Sequence, residues 1–392
     1  MPDNHEDYAM FFEHTGPYAL PADYTPRRPE HFCVRRIVLA KGARTTQERR
    51  NYIAKIIALY PEAEIIEKPD TPHNRIAPNH KNLASRLRLG KQTLVFGEHK
   101  SAVRFSNEAS NICPNYWHFS PYGFCFYGCT YCYLSGTRTF VFSPAVKVFV
   151  NLSEILKEID RQAYKQGNVC AFYLGKLQDG LALDPLCGTS RVLAPFFAAH
   201  PFARMTLLTK STDVDNLLNL DHQGHTILSW SVNPPEIHDR FERDVPHPYQ
   251  RIQAMQRCAK AGYPVRAVLM PIIPIEGWEE IYGRFLRELL LSVPLQRLTM
   301  GGICTYPDAK RLMEESIGED NLISQSIHST TMRQADHRAR FSKELRIKLY
   351  SALLDAAREV RPDLDVALCL EEEEVLNKVG LSASQGRCNC PF

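Results

Sequence analysis

Residues 248–273, PYQRIQAMQRCAKAGYPVRAVLMPII, decide the fold, because the hydrophobic pattern changes partway along them. The first part is amphipathic with helical spacing, and the last ten residues are a nearly unbroken apolar run. A helix leading directly into an apolar strand is half of a β/α unit, and such a strand needs cover on both faces. Working outward, the same alternation recurs. The runs VKVFVNL (146–152), VCAFYLG (169–175), RMTLLTK (204–210), TILSWSVN (226–233) and RLTMGGICT (297–305) read as strands. SEILKEIDRQAYKQG (153–167) and EEIYGRFLRELLLSV (279–293) read as helices between them. About six such units in series predict an α/β protein built on a partial, TIM-like parallel β/α barrel, with functional residues at the C-terminal ends of its strands.

Outside this array the pattern differs. FCVRRIVLA (32–40), TTQERRNYIAKIIALYP (45–61) and AEIIEK (63–68) predict a small strand–helix–strand unit, its helix capped by Thr45 or Thr46. The expected segments are therefore an N-terminal arm and small α/β unit at 1–110, the barrel at 111–305 and a C-terminal extension at 306–392. In the extension a charged, mobile-looking stretch precedes the helix RFSKELRIKLYSALLDAAREV (340–360), the strand LDVALCL (364–370) and the tail GRCNCPF (386–392).

The chain has 392 residues, 44% of them hydrophobic and 23% charged, which is the balance of a globular protein. No apolar run reaches the roughly 18 residues of a membrane span, and the acidic, aromatic start MPDNHEDYAMFFEH is unlike a signal peptide. A cytoplasmic protein without membrane contact is expected. The net charge of +3 permits a polyanionic partner without requiring one. Twelve cysteines without an export signal favour metal or redox chemistry over disulfides.

Three of those cysteines fall in CFYGCTYCYL (125–134). The C-x3-C-x2-C spacing of Cys125, Cys129 and Cys132 lets one loop hold three corners of a 4Fe-4S cube and leaves the fourth iron open to a small molecule. A structural zinc site is the alternative, but it prefers C-x2-C pairs and four closed ligands, with His118 available as the fourth here.

The triplet resembles that of the radical S-adenosylmethionine superfamily, whose open iron chelates S-adenosylmethionine and whose reduced cluster cleaves it to a 5'-deoxyadenosyl radical. The flanks narrow the likeness. GCTYCYL, then 208–242 and 251–282, with HNRI (73–76) and KQTLVFGEHK (91–100) before them, resemble the spore photoproduct lyase family, which reverses a thymine–thymine adduct in DNA. The resemblance implies a 4Fe-4S cluster on the three cysteines. It also implies S-adenosylmethionine contacts at Asp179, Lys210 and Ser231, and Tyr133 in a hydrogen-transfer path next to Cys132, with Tyr131 on its other side. It further implies DNA as partner and a reductant such as flavodoxin or ferredoxin. One position departs from the family pattern. In FYLGKLQDGLALD (172–184) Lys176 stands where the family has a hydrogen-donating cysteine. Cys187 and Cys304 are candidate substitutes, and the departure keeps open a nucleoside-like small molecule or a peptide as substrate.

Cys369, Cys388 and Cys390 form a second group, with Cys304 or Cys113 to complete it. It reads as an auxiliary iron-sulfur cluster, a thiol donor, a redox pair, or a frayed tail without a role. Two basic stretches offer a nucleic-acid surface. One spans 73–91 with His73, Arg75, His80, Lys81, Arg86, Arg88 and Lys91. The other spans 332–348 with Arg333, His337, Arg338, Arg340, Lys343, Arg346 and Lys348, though the solvated face of a helix explains the second as well. The aromatic run NYWHFSPYGF (115–124) would serve as a stacking platform or as packing around the cluster. A metal-binding nucleic-acid protein without catalysis is the reading from another class.

Overall fold

The computed structural model describes residues 18–106, 112–327 and 337–392. Its larger sheet has eight strands: β1 (Val103–Ser106), β2 (Tyr116–Phe119), β3 (Cys170–Leu174), β4 (Ala203–Thr209), β5 (Thr226–Ser231), β6 (Val265–Ile272), β7 (Arg297–Gly302) and β8 (Asp365–Leu368). Their order in space is their order in sequence. From β2 to β8 every neighbouring pair is parallel, while β1 runs antiparallel to β2. The pairing leaves β1 and β8 as edges, so the sheet is the expected partial barrel.

Burial explains the apolar strands. All six residues of β5 are buried, as a strand covered on both faces requires. Helices α1 (Leu152–Gln166), α2 (Ser190–Ala199), α3 (Pro248–Lys260), α4 (Trp278–Ser292) and α5 (Lys343–Val360) accompany the strands. Helix α1 buries Leu152, Ile155, Leu156, Ile159 and Ala163 on one stripe and ends at Gly167, whose φ of +66° turns the chain out of the helix. At the start of α3 the His247 ring and the Gln250 side chain form a reciprocal cap.

A second, smaller sheet orders its strands as Glu64–Glu67, Arg36–Leu39, Thr93–Gly97, Val146–Phe149 and Tyr122–Gly123. The helix Gln47–Ile57 belongs to this unit and is capped by Thr46, which accepts from the Arg49 amide at 3.2 Å. The sheets cross the expected segment boundaries. Val146–Phe149, read as a barrel strand, pairs instead with Thr93–Gly97. β1 joins the barrel sheet from before residue 111, and β8 joins it from beyond 305. RLTMGGICT divides into β7 and a short strand, Cys304–Thr305, which pairs with Ala339–Arg340. Part of the stretch read as mobile is helical, at Pro307–Ile317 and Leu322–Ser326. The N-terminal residues 1–17 and Arg333 lie outside the described residues.

The C-terminal tail is docked rather than frayed. Thr206 on β4 donates to the Cys390 carbonyl at 2.7 Å, Arg266 on β6 to the Pro391 carbonyl at 2.7 Å, and Arg297 on β7 to the Cys388 carbonyl at 2.8 Å. Three parallel strands thus share one segment as their cover.

Candidate active site

The loop carrying the cysteine triplet is fixed by its backbone. Gly128 and Cys129 pair antiparallel with Arg243 and Glu242, and the Thr130 amide donates to the Phe241 carbonyl at 2.8 Å. Gly128 is required by this approach, since a Cβ there would sit 2.7 Å from the Arg243 carbonyl oxygen. After Cys132 the chain makes a short 3-10 turn, Tyr133–Gly136.

A cavity of about 270 Å³ opens over this loop. Cys125, Cys129 and Cys132 line it, together with Lys210, Ser231 and Cys304. Asp179, Tyr131 and Tyr133 line it too. Lys210 directly follows β4, Ser231 ends β5 and Cys304 lies just past β7. The C-terminal ends of successive strands therefore supply the chemistry, as the barrel reading expects. None of the twelve cysteines is in a disulfide. Burial pushes the Cys129 thiol up to about 12, against the pull of the Lys210 ammonium, and it also raises Cys125. Thiols held protonated this way exchange their protons for metal on binding. Three cysteines from one loop, facing one cavity, fit a cluster with an open iron.

Four side chains behind the loop form a buried ionic group. Glu242 accepts from the Tyr131 hydroxyl and from Arg251, and Lys210 reaches it at 4.0 Å. Burial alone would raise the Glu242 carboxyl, but Arg251 and then Lys210 overcome this and hold it at about 2. Lys210, whose charged form burial disfavours, is raised by Cys129 and Glu242. Arg251 also donates to the Ser231 carbonyl at 3.0 Å and to the Pro246 carbonyl at 2.7 Å. The group thus ties the cysteine loop, the end of β5 and the start of α3 together. Sequence reasoning missed Glu242 and Arg251, which look like ordinary surface charges in EIHDRFER and PYQRIQ. The available signal was that Arg251 lies three residues from Ala254 and four from Met255, on the stripe that α3 buries.

The other expected residues divide. The Asp179 carboxylate accepts from the Leu181, Ala182 and Lys210 amides and from the Thr209 hydroxyl, at 2.6 to 3.0 Å. It therefore knots the loop after β3 to the end of β4. Asp179→Ala is expected to cost about 1–3 kcal/mol, the range for stripping a buried hydrogen-bond partner, seen as a lower melting temperature. Ser231 donates weakly to the Met270 carbonyl at 3.4 Å and keeps its place on the cavity wall. The Tyr133 hydroxyl donates to the Lys176 carbonyl at 3.3 Å. The Lys176 ammonium turns to the Ser106 hydroxyl and lies 5.0 Å from the Tyr116 ring centroid, and Lys176 does not line the cavity. Cys187 is fully buried beside Tyr52, which donates to its carbonyl, and is remote from the cavity lining.

A second, polar cavity of about 610 Å³ adjoins the first, and Phe124 and Phe140 line both. Phe124 holds φ at +68° and packs on Phe140 with ring centroids 4.6 Å apart. The exposed cations Lys41, Lys100, Arg104 and Arg138 surround this cleft, with His73, His99 and Lys147 deeper in. Burial lowers the two histidines to about 3 and 4, and it lowers Lys147 to about 7. Of the first basic stretch, His73 lines this cleft and Lys91 lines the first cavity. In the described part of the second stretch Arg346 is buried against Glu371 and Glu372, the half-buried Lys343 pairs with Glu374 and the exposed Lys348 with Glu279.

Known proteins resemble this chain in sequence and in fold. The family model "Spore photoproduct lyase" matches residues 50–302. The spore photoproduct lyase of Geobacillus sp. (strain Y412MC61) is 31% identical over 293 residues, covering 67% of this chain and 82% of that protein. That of Bacillus subtilis (strain 168) is 30% identical over 228 residues, covering 57% of this chain and 64% of the relative's length. Among solved structures, a spore photoproduct lyase complexed with dinucleoside spore photoproduct superposes with a TM-score of 0.75 at 23% identity, covering 87% of this chain and all of that one. A doubly substituted lyase with bound AdoMet and dinucleoside spore photoproduct gives 0.74 at 23% identity, covering 86% and 99%. With the cysteine loop, the strand-end residues and the partial barrel in place, the chain belongs to the spore photoproduct lyase family.

Proposed function

We propose that this protein is a radical S-adenosylmethionine lyase that reverses a thymine adduct of the spore photoproduct kind in DNA. One observation carries the reading: the cavity lined by the three cysteines, Lys210 and Ser231 shares its Phe124 and Phe140 wall with a larger cleft rimmed by cations. Cys125, Cys129 and Cys132 hold the cluster. A cluster bound there would supply the electron for reductive cleavage of S-adenosylmethionine. Lys210 and the Ser231 end of β5 orient the cofactor, while Phe124 and Phe140 separate it from the polar cleft. The rim cations neutralise the phosphates of the damaged strand. A one-electron carrier of the flavodoxin or ferredoxin kind provides the reductant, and the reduced thiols suit a cytoplasmic setting.

Hydrogen abstracted from the lesion must be returned for repair to finish. Lys176 cannot return it, and Cys304 is the thiol in the cavity that is not a cluster ligand. A nucleoside-like small molecule or peptide is the second reading, favoured by Lys176 alone. The deciding assay incubates the anaerobically reconstituted enzyme with S-adenosylmethionine, reductant and an oligonucleotide carrying the thymine adduct. Restored thymine together with 5'-deoxyadenosine supports the proposal. Deoxyadenosine without restored thymine would move the search to the second reading. The cleft has its own test. Arg104→Ala combined with Arg138→Ala should weaken oligonucleotide binding several-fold and flatten its dependence on salt by about one unit of slope per lost phosphate contact. An unchanged slope would place the DNA elsewhere.

A further inference from the structure

Beneath the active-site cavity four cysteines from three distant segments converge. Cys113 precedes β2, Cys369 follows β8, and Cys388 and Cys390 belong to the docked tail. The Cys113 thiol is in hydrogen-bonding contact with those of Cys369 and Cys388, and Cys388 with that of Cys390. The Leu370 amide donates to the Cys113 sulfur at 3.4 Å, and the Ile112 amide to the Glu371 carbonyl at 3.0 Å, so the segment leading into β2 is pinned to the end of β8. Cys304, the other candidate for this set, instead lines the upper cavity.

Two further observations favour an anionic group at this place. Arg266 is 3% exposed, it donates to the tail carbonyls of Asn389 and Pro391, and its Nε has no hydrogen-bond partner among the described residues. The nearby Asp365 carboxylate is already shared by Arg297 and Arg387, so the buried guanidinium is costly without further negative charge. Asn389, between the two tail cysteines, is also 3% exposed, and neither end of its amide has a hydrogen-bond partner among the described residues. Four reduced thiols are poor company for both groups. Four thiolates around a metal would give Arg266 a counter-charge and Asn389 a sulfur acceptor.

We propose that Cys113, Cys369, Cys388 and Cys390 bind a second metal centre, separate from the cluster held by Cys125, Cys129 and Cys132. Transfer of an assembled iron-sulfur cluster from a carrier protein releases the four thiol protons, exchanges the carrier's ligands for these thiolates and leaves the oxidation state of the iron unchanged. Among the described residues no three of these thiols lie within 4.8 Å of one another, which is wider than the roughly 3.8 Å edge of a tetrahedral single-ion site. A cubane spreads its thiolates to about 6 Å, which favours an auxiliary iron-sulfur cluster here. The centre would staple the segment leading into β2 to the end of the edge strand β8 and lock the tail under β4, β6 and β7.

The test is elemental analysis of the protein purified without oxygen, and it is independent of any substrate. The first site accounts for about four iron atoms per chain. About one zinc in addition identifies a single ion, and about four more iron atoms identify an auxiliary cluster; both support the site. Cys388→Ser with Cys390→Ser, and separately Cys113→Ser, should each remove that additional metal and leave the first four iron atoms bound. If these variants do not fold, alkylation of the intact protein with and without a chelator decides: the four cysteines should become reactive only once the metal is stripped. Wild-type protein with four iron atoms and no other metal, or a Cys113→Ser variant with its full metal content, would overturn the proposal.

Discussion

A Cys129→Ala chain will form no 4Fe-4S cluster on the triplet and will release no 5'-deoxyadenosine above background when given S-adenosylmethionine and dithionite. Two thiolates do not hold a cubane whose third protein ligand is gone. Cys129 is also the ligand most firmly placed, because its own residue forms the backbone ladder with Glu242. Its neighbours Cys125 and Cys132 remain on the cavity wall in the variant, so the fold should survive and the loss should be confined to the cofactor. The measurement is the visible spectrum of the reconstituted variant beside deoxyadenosine quantified by mass spectrometry. A normal cluster spectrum in Cys129→Ala would overturn the ligand assignment.

Replacing Glu242 with glutamine is expected to damage both stability and the cluster. The carboxylate is fully buried between Arg251 and Lys210, which would be left as buried cations with a neutral partner. Breaking a buried ion pair from one side costs on the order of 3–5 kcal/mol. The melting temperature should fall by several degrees, and the cysteine loop, which pairs with residue 242, should bind iron poorly. The effect has a pH signature. Glu242 titrates at about 2 in the fold, against about 4.3 for an ordinary glutamate. Its contribution is therefore fully present above the ordinary value and is lost as pH falls towards 2. Wild-type protein should lose that stability on acidification over this window, and the glutamine variant should lack that part of the slope. Equal acid sensitivity in the two proteins would show that Glu242 does not carry it.

How much of this was legible in the chain follows from what each residue does locally. Strands such as TILSWS declare themselves because a strand buried on both faces has to be apolar along its length. The three ligand cysteines were legible because one short loop holds them, so their spacing is their geometry. Val146–Phe149 was misplaced because a buried parallel strand has the same composition in either sheet, and only its pairing with Thr93–Gly97 assigns it. Asp179 was placed at the site from its position in a motif, and it lines the cavity, but its hold on the amides of its own loop and on Thr209 left no mark in the sequence. Glu242 and Arg251 were invisible because nothing in a sequence distinguishes a charge facing water from one facing another buried charge. Cys113 and Cys304 were both candidates to complete the tail group, and the sequence does not choose between them, since more than 250 residues separate Cys113 from Leu370, whose amide reaches its sulfur.

The docked tail also fixes when the protein can be finished. The bond from Thr206 to Cys390 joins residues 184 positions apart, and those from Arg266 to the tail span more than 120. Closing loops of that length is entropically the slowest part of assembly, so the β/α array should be in place before its underside is sealed. Until then Cys388 and Cys390 are open to solution, and an oxidant arriving in that interval would find a vicinal pair ready to crosslink. Refolding without oxygen should therefore give a higher yield than refolding in air, even for a variant that lacks the first cluster.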